Sequence, residues 1–297
     1  MKCPDKKGMA VHFHRIMHLP SRSTISMILK RNGLIPERKT RRRVDPRKPI
    51  FDPTEPNEVW SADFKGHFKL KNGQTCYPLT ICDSKTRIIL MIKGQYNIDF
   101  KTTRANFERV FKVYGLPAQL HTDNGTPFGN VRALGRMTQF GAWLMELGIE
   151  PIFSDPGHPE QNGRHERMHR DLKDKCCKKP SKNMQAEQVR FNKFRKEYNE
   201  KRPHESLGMR PPAQVHKISE RPYREEIKEW EYPGEYVVKY ICRNGIIRVG
   251  KKGAIFIGSA LKGKKVGLEP LGNGIFRLYF REFLLGNQEL LFYFRST

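Results

Sequence analysis

From Val59 the apolar positions fall in three short strand-like segments, VWSADFKGHF, which alternates, then CYPLTICD and the continuous apolar run of RIILMIKGQY. They predict three successive strands, with turns at Asn72-Gly73 and Asp83-Ser84. The period then lengthens in FKTTRANFERVFKVYG, a helix ended by Gly115, and is followed by a short strand, AQLHTD. A second helix, RALGRMTQFGAWLMELG, ends at Gly148, the strand IEPIFSD follows, and a third helix begins at about Asn162. The order β-β-β-α-β-α-β-α predicts an α/β unit with a mixed five-stranded sheet flanked by helices.

Residues 20 to 34 carry a helix signature, with Ser21 or Ser23 as N-cap, Ile25, Ile28 and Leu29 at helical spacing, and Gly33 as the stop. The exposed Ser, Arg and Lys suit a DNA-reading helix, and they equally describe an ordinary surface helix. Five prolines and a basic cluster without any period make the next stretch an extended linker,. Residues 186 to 216 read as a further helix and a basic loop. Beyond Pro233 short strands with turns at Asn244-Gly245 and Asn273-Gly274 predict a small closed β-barrel. The expected division is a partial helix-turn-helix segment over 1–35, a linker over 36–57, a core with a helical extension over 58–220, and the barrel over 233–297.

Charge sharpens this picture. The 56 Lys and Arg against 31 Asp and Glu leave a formal charge of +25 spread over the chain, which points to a polyanionic partner. No apolar run approaches the roughly 20 residues of a membrane helix, and six cysteines without a CxxC pair read as reduced thiols.

Two-metal phosphoryl transfer needs carboxylates from different elements at one point, because two divalent ions about 3.5–4 Å apart hold the attacking and leaving oxygens. Three acids fit that need. Asp63 lies in the first strand, within Trp60-Ser61-Ala62-Asp63-Phe64, where an isolated carboxylate among apolar neighbours is costly. Asp123 ends the strand in His121-Thr122-Asp123-Asn124-Gly125. Either aspartate alone reads as readily as a turn or cap residue. The run from Asp155 to Lys173 leads a turn-rich approach into a helix on which Glu166, Arg170 and Lys173, at i, i+4 and i+7, share one face. That face suits a meeting of metal and DNA phosphate, while an intrahelical Glu166–Arg170 salt bridge suits the helix in isolation.

ADF, HTDNG and HPEQNGRHERMHRDLK, in this order, resemble the catalytic core shared by retroviral integrases and a large class of bacterial insertion-sequence transposases, the DDE superfamily. The resemblance continues through YNEKRPHESLGMRPPAQV into the C-terminal segment and covers most of the chain from about residue 20. It implies a ribonuclease H-like fold and two Mg²⁺ ions, replaceable by Mn²⁺, held by Asp63, Asp123 and Glu166 as the catalytic acids. Glu166 is favoured over Glu160 because the family's glutamate follows an Asn-Gly step by three residues, as Glu166 follows Gly163. The implied reaction is cleavage at the 3′ end of a mobile element and in-line attack of the freed hydroxyl on target DNA, without a covalent enzyme intermediate. Double-stranded DNA, as element ends and target, is the implied partner of a homo-oligomer in a cytoplasmic, nucleoid-associated bacterial setting.

In that frame Arg170, Lys173 and the linker residues Arg41, Arg42 and Arg43 lie on phosphates. Asn124, Asn162 and Gly163 shape the edge of the site, the glycine allowing close backbone approach to DNA. Asp83 reads as a hairpin-turn residue. His14 and His18 have the spacing of half a zinc site but lack the matching CxxC. His165 and His169, beside the acidic stripe, are expected to contact DNA or solvent. Members of the family carry a longer helix-turn-helix region before the PSRSTI-like helix, of which only the last helix is clear here. Two further readings fit the same residues: a DNA-binding regulator without activity, and a ribonuclease H-type nuclease that joins nothing.

Overall fold

Asn57 starts the sheet from a left-handed turn (φ 65°) and its side chain accepts a hydrogen bond from the Trp60 indole at 3.0 Å. In the computed structural model, residues 20–34, 51–130, 133, 136–155, 163–249, 253–272, 275–285 and 290–291 are described. Strands β1 (Val59–Phe64), β2 (Phe68–Lys69), β3 (Thr75–Asp83) and β4 (Ile89–Gln95) come first. Helix α2 (Phe100–Tyr114), β5 (Gln119–Thr122), α3 (Gln139–Glu146), β6 (Glu150–Phe153), α4 (Gly163–Leu172) and α5 (Met184–Lys201) follow, with α1 (Arg22–Arg31) preceding them all. Beyond the core come β7 (Val237–Tyr240), β8 (Ile246–Val249), β9 (Gly253–Phe256), β10 (Lys265–Gly272), β11 (Ile275–Phe280), β12 (Phe283–Leu284) and β13 (Leu290–Leu291).

Five strands make the mixed sheet in the order β4-β3-β1-β5-β6, with short β2 added to one end of β3. The hairpin-linked strands β1, β3 and β4 are antiparallel, while β5 lies parallel to β1 and β6 parallel to β5. The predicted first strand is interrupted: Gly66, at φ 73°, turns the chain out of β1 before β2 begins.

Side chains alternate across a strand, and β1 and β3 use both faces. Trp60, Ala62, Leu79 and Ile81 point into a core completed by Phe107 and Phe111 of α2 and by Phe140 and Trp143 of α3. Cys82 belongs to the opposite core, with Met168 and Leu172 of α4 and Phe191 and Phe194 of α5. Ser61, Asp63 and Thr80 share the face of Cys82, beneath α4. The register sets Asp63 directly across from Thr80.

Helix α3 is shorter than its sequence pattern predicts, because Thr138 caps it by accepting from Gly141 N at 3.1 Å while Arg136 takes a left-handed conformation (φ 55°). Helix α1 is capped by Ser21 as expected, and Met27 and Ile28 are exposed on it. The segment that would complete a helix-turn-helix lies outside the described residues, as do Arg41, Arg42, Arg43, His14 and His18. A strap then returns along the core: Arg221 donates to the carbonyls of Pro117 and Gly148, both at 2.6 Å. The C-terminal strands depart from the expected closed barrel. Among the described pairings they form an open sheet, β12-β11-β10-β7 with β13 on β11, and a separate β8-β9 hairpin. Ile247 and Ile257 from the hairpin side, Val266 and Leu268 of β10, and Ala142 and Met145 of α3 share one apolar cluster. Glu146 of α3 pairs with Lys264 beside it.

Asp83 is the last residue of β3, where its carboxylate holds the hairpin turn into β4 as the sequence predicts, and it is almost wholly buried. Its carboxylate accepts from Thr86 N at 2.6 Å, Thr86 Oγ1 at 2.7 Å and Asn57 N at 2.6 Å. Asp83→Ala leaves two backbone N–H groups unpaired and is expected to cost about 3 kcal/mol, read as a lower denaturant midpoint.

Candidate active site

Asp63 sits near the end of β1 with about a fifth of its side chain accessible. Asp123 follows β5, and because β5 lies parallel beside β1 the two aspartates leave the sheet at the same end. Glu166 comes from above, exposed on α4. Both Asp123 and Glu166 are close enough to act on Asp63: burial first, then the like charges of Asp123 and Glu166, raise its carboxyl to about 7 in all, against the opposing pull of Lys65 and the Phe64 N–H. Burial also raises the Asp123 carboxyl, against the pull of the Gly125 N–H at 3.1 Å. Asp123 is nevertheless open to solvent on one side.

Two groups of this site were not legible beforehand. Lys65 lies two positions beyond Asp63 along an extended stretch, and that spacing was its only signal. Gly125 has a local reason to lack a side chain, since a Cβ there would stand 3.1 Å from Asp123 Oδ2.

Asn124 is fixed as a brace at the edge of the site. Its Nδ2 donates to the Ser154 carbonyl at 2.6 Å, and its Oδ1 accepts from Arg136 at 3.0 Å. Gly163 opens α4 with empty space where a Cβ would be. Asn162 and Glu160 lie outside the described residues. Arg170 and Lys173 are exposed on the side of Glu166, with Lys173 starting the π-helical turn Lys173–Cys177. The i,i+4 ion pairs among the described residues include Arg104–Glu108 and Lys178–Asp174, and none joins Glu166 to Arg170.

The expectation for His165 and His169 is overturned. Both are buried, at 3% and 4% exposure, because with Met168 and Leu172 they form the inward stripe of α4. The polar character of the imidazoles conceals that stripe in the sequence. They meet the hydroxyls of Ser61 and Thr80 in place of DNA or water.

The donor set fits a hard divalent cation: carboxylate oxygens are the ligands Mg²⁺ prefers. A cation would also offset the repulsion that raises Asp63. Among the described residues, no three acids, histidines or cysteines are gathered tightly enough to hold an ion as they stand. The acids are therefore within electrostatic reach of one another without being closed around a common point.

The mixed sheet thus carries Asp63 and Asp123 at adjacent parallel strand ends, with Glu166 on the helix that covers them. Two family models, each described as "Integrase core domain", match residues 53–159 and 147–212. Together they cover residues 53–212, so the chain carries an integrase core domain, and it is similar to bacterial insertion-element proteins. The chain is 33% identical over 179 residues to the 39.2 kDa protein of insertion element IS476 of Xanthomonas euvesicatoria, a match covering 60% of this chain and 49% of that protein. It is 28% identical over 193 residues to the 31.7 kDa protein of IS407 of Burkholderia multivorans, covering 64% and 67%. The match thus spans about half to two thirds of these relatives. Among solved structures it is similar to the HTLV-2 integrase catalytic core domain in complex with magnesium, at TM-score 0.41 and 18% identity, covering 56% of this chain and all of that one. A simian T-cell lymphotropic virus intasome chain matches at TM-score 0.45 and 13% identity over 97% of this chain and 95% of that one.

The raised Asp63 carboxyl has a thermodynamic sign. Its charged form is disfavoured in the fold relative to the unfolded chain, so this group's contribution is most favourable below the ordinary value of 3.8 and is lost as pH rises toward about 7,. In metal-free buffer, Asp63→Asn is expected to raise the melting temperature by a few degrees at pH 8 and by much less at pH 4, as scanning calorimetry at the two pH values checks.

Proposed function

We propose that the chain is a DNA transposase that cuts the 3′ ends of a mobile element and joins them to target DNA, with Asp63, Asp123 and Glu166 as its catalytic acids. The observation that carries this is the convergence of three motif acids from a strand, a strand exit and a helix, near enough for two of them to raise the third. Two divalent ions, Mg²⁺ in the cell and replaceable by Mn²⁺, would supply Lewis-acid activation of water and of the 3′ hydroxyl and stabilise charge on the phosphate. Asp63 and Asp123, on neighbouring rigid strands, fix one side of the binding place, and Glu166 supplies the other.

The remaining residues bind and orient the nucleic acid. Arg170 and Lys173 are exposed along the Glu166 side of α4 and lie on phosphates of the strand entering the site. Asn124 and Arg136 hold the loop after Asp123, so that its position does not depend on DNA. Arg41, Arg42, Arg43 and Asn162 are assigned to phosphate or site-edge contacts on their sequence pattern, and Gly163 on the open space beside it. Joining two element ends in one event requires at least two catalytic cores, so a homo-oligomer on DNA follows from the chemistry.

A strand-transfer assay with element ends, supercoiled plasmid and Mg²⁺ or Mn²⁺ tests the catalytic assignment. Joined products should fall by at least about 100-fold in Asp123→Asn and in Glu166→Gln. Binding without nicking or joining by the parent chain would point to a silent DNA-binding protein, and cleavage of RNA–DNA hybrid without joining to a nuclease.

The phosphate contacts have a separate signature. The pair Arg170→Ala and Lys173→Ala should weaken binding equally for all DNA sequences and reduce the slope of log affinity against log salt by about 2, measured by fluorescence anisotropy over a salt series.

A further inference from the structure

Helix α4 must hold Glu166 in a fixed position over β1, yet most of what it packs with is apolar. Met168 and Leu172 enter a cluster with Cys82 and Ile89, and such contacts are non-directional, so alone they tolerate sliding of the helix along the sheet. One polar knot interrupts that surface. Thr80, fully buried in β3, donates from Oγ1 to the backbone carbonyl of Asp63 at 2.9 Å. The same oxygen meets His165 Nε2 at 2.6 Å and His169 Nε2 at 2.7 Å. These two histidines bracket Glu166 on α4, with their rings edge to face at 4.5 Å.

A hydroxyl has one proton and two lone pairs. With its proton directed to the Asp63 carbonyl, Thr80 accepts from both imidazoles, so each carries its hydrogen on Nε2. That assignment leaves both Nδ1 atoms with a lone pair: the Ser61 hydroxyl, 3.0 Å away, donates to His165 Nδ1, and His169 Nδ1 stands 3.5 Å from Asp63 Oδ2. Every hydrogen-bonding position of the Thr80 oxygen is thus filled, by one group from the Asp63 strand and two from the Glu166 helix.

We infer that the Thr80 hydroxyl is a positioning group that registers the Glu166 helix on the Asp63 strand, with His165 and His169 as its two arms. The inference rests on the reading of Asp63 and Glu166 as partners in one catalytic site. Its physical basis is direction: hydrogen bonds of 2.6–2.9 Å into one buried oxygen fix both the height and the rotation of α4, and a lost partner leaves buried N–H groups unpaired. Thr80 touches no reacting atom in this role. It sets how far the two acids stand apart when a cation draws them in.

The test uses the full chain and three readouts: melting temperature, Mn²⁺ binding without DNA from the electron paramagnetic resonance of free Mn²⁺, and strand transfer resolved into kcat and KM for DNA. Thr80→Val keeps the shape and removes the hydroxyl. It should bind Mn²⁺ about 10- to 100-fold more weakly and lose kcat in proportion, with KM for DNA unchanged, whereas Thr80→Ser should restore both. A folded Thr80→Val with parental Mn²⁺ affinity and kcat overturns the inference, as does Thr80→Ser behaving like Thr80→Val. If Thr80→Val does not fold, His169→Leu and His169→Gln decide. The glutamine amide can still donate where Nε2–H did, so loss of Mn²⁺ affinity in the leucine variant alone supports the role, and equal affinities in the two overturn it. Asp63→Asn is run alongside: if it transfers strands normally, the catalytic reading fails and the inference with it. If Asp63→Asn is inactive while Thr80→Val is unimpaired, only the inference fails.

Discussion

A carboxylate withdrawn from water with like charges nearby is unfavourable, and the arrangement around Asp63 exists against that cost, of which burial is the larger part. Raising a carboxyl from 3.8 to about 7 corresponds to about 4 kcal/mol at a pH where it would otherwise be ionised,. Each fully buried large apolar side chain contributes about 1.5–3 kcal/mol. Two or three of the aromatics under β1 and β3 therefore offset the whole electrostatic cost, and Trp60, Phe107, Phe111, Phe140 and Trp143 are all there. The sheet's second face has an apolar cluster of its own beside the polar group around Thr80. Asp63 can stay uncomfortable because the strand that bears it is locked from both sides.

The same locking divides labour between directional and non-directional forces. Apolar packing supplies most of the stability, and polar contacts settle register at a few points. Asp83 joins the β3–β4 turn to the start of β1 through Asn57. Arg221 joins the strap to the loops before β5 and β6 through Pro117 and Gly148. Each ties distant stretches of chain where sliding would displace an acid-bearing strand. Thr80 fits this pattern, as the contact between the sheet and the one acid-bearing element that is not a part of it.

Much of this was readable from the chain, and the misreadings share a cause. Short strand-like segments gave β1, β3 and β4, and a change of period gave the helices, because side-chain direction is a local property of the backbone. The spacing of Glu166, Arg170 and Lys173 located one face of α4 correctly. It could not tell that His165 and His169 belong to the buried face, since an imidazole has no fixed preference for water and its partner, Thr80, is more than eighty residues away. Arg136 and Gly66 escaped for a related reason: a left-handed residue ends or redirects an element without altering the hydrophobic pattern on either side. The closed barrel was an extrapolation from short strands, whereas sheet closure depends on which edges pair, and strand count does not fix that.

The charge of +25 also looks different once the cations have positions. Several guanidinium groups are turned inward to carbonyls: Arg195 to Leu90, Arg190 to Lys175, Arg221 to Gly148, and Arg281 to Glu146 and Lys228. Those on Glu146 and Gly148 sit at the C-terminal end of α3, where carbonyl dipoles favour a cation,. Hydrogen bonding to a neutral carbonyl removes the donors from contact with a ligand but does not cancel the charge. The long-range field that draws a polyanion is therefore set by the full count, while short-range grip is left to exposed heads such as Arg170 and Lys173. Under the proposed function, attraction to DNA and placement of DNA in the site are for this reason separable, the first distributed over the molecule and the second assigned to the exposed side of Arg170 and Lys173.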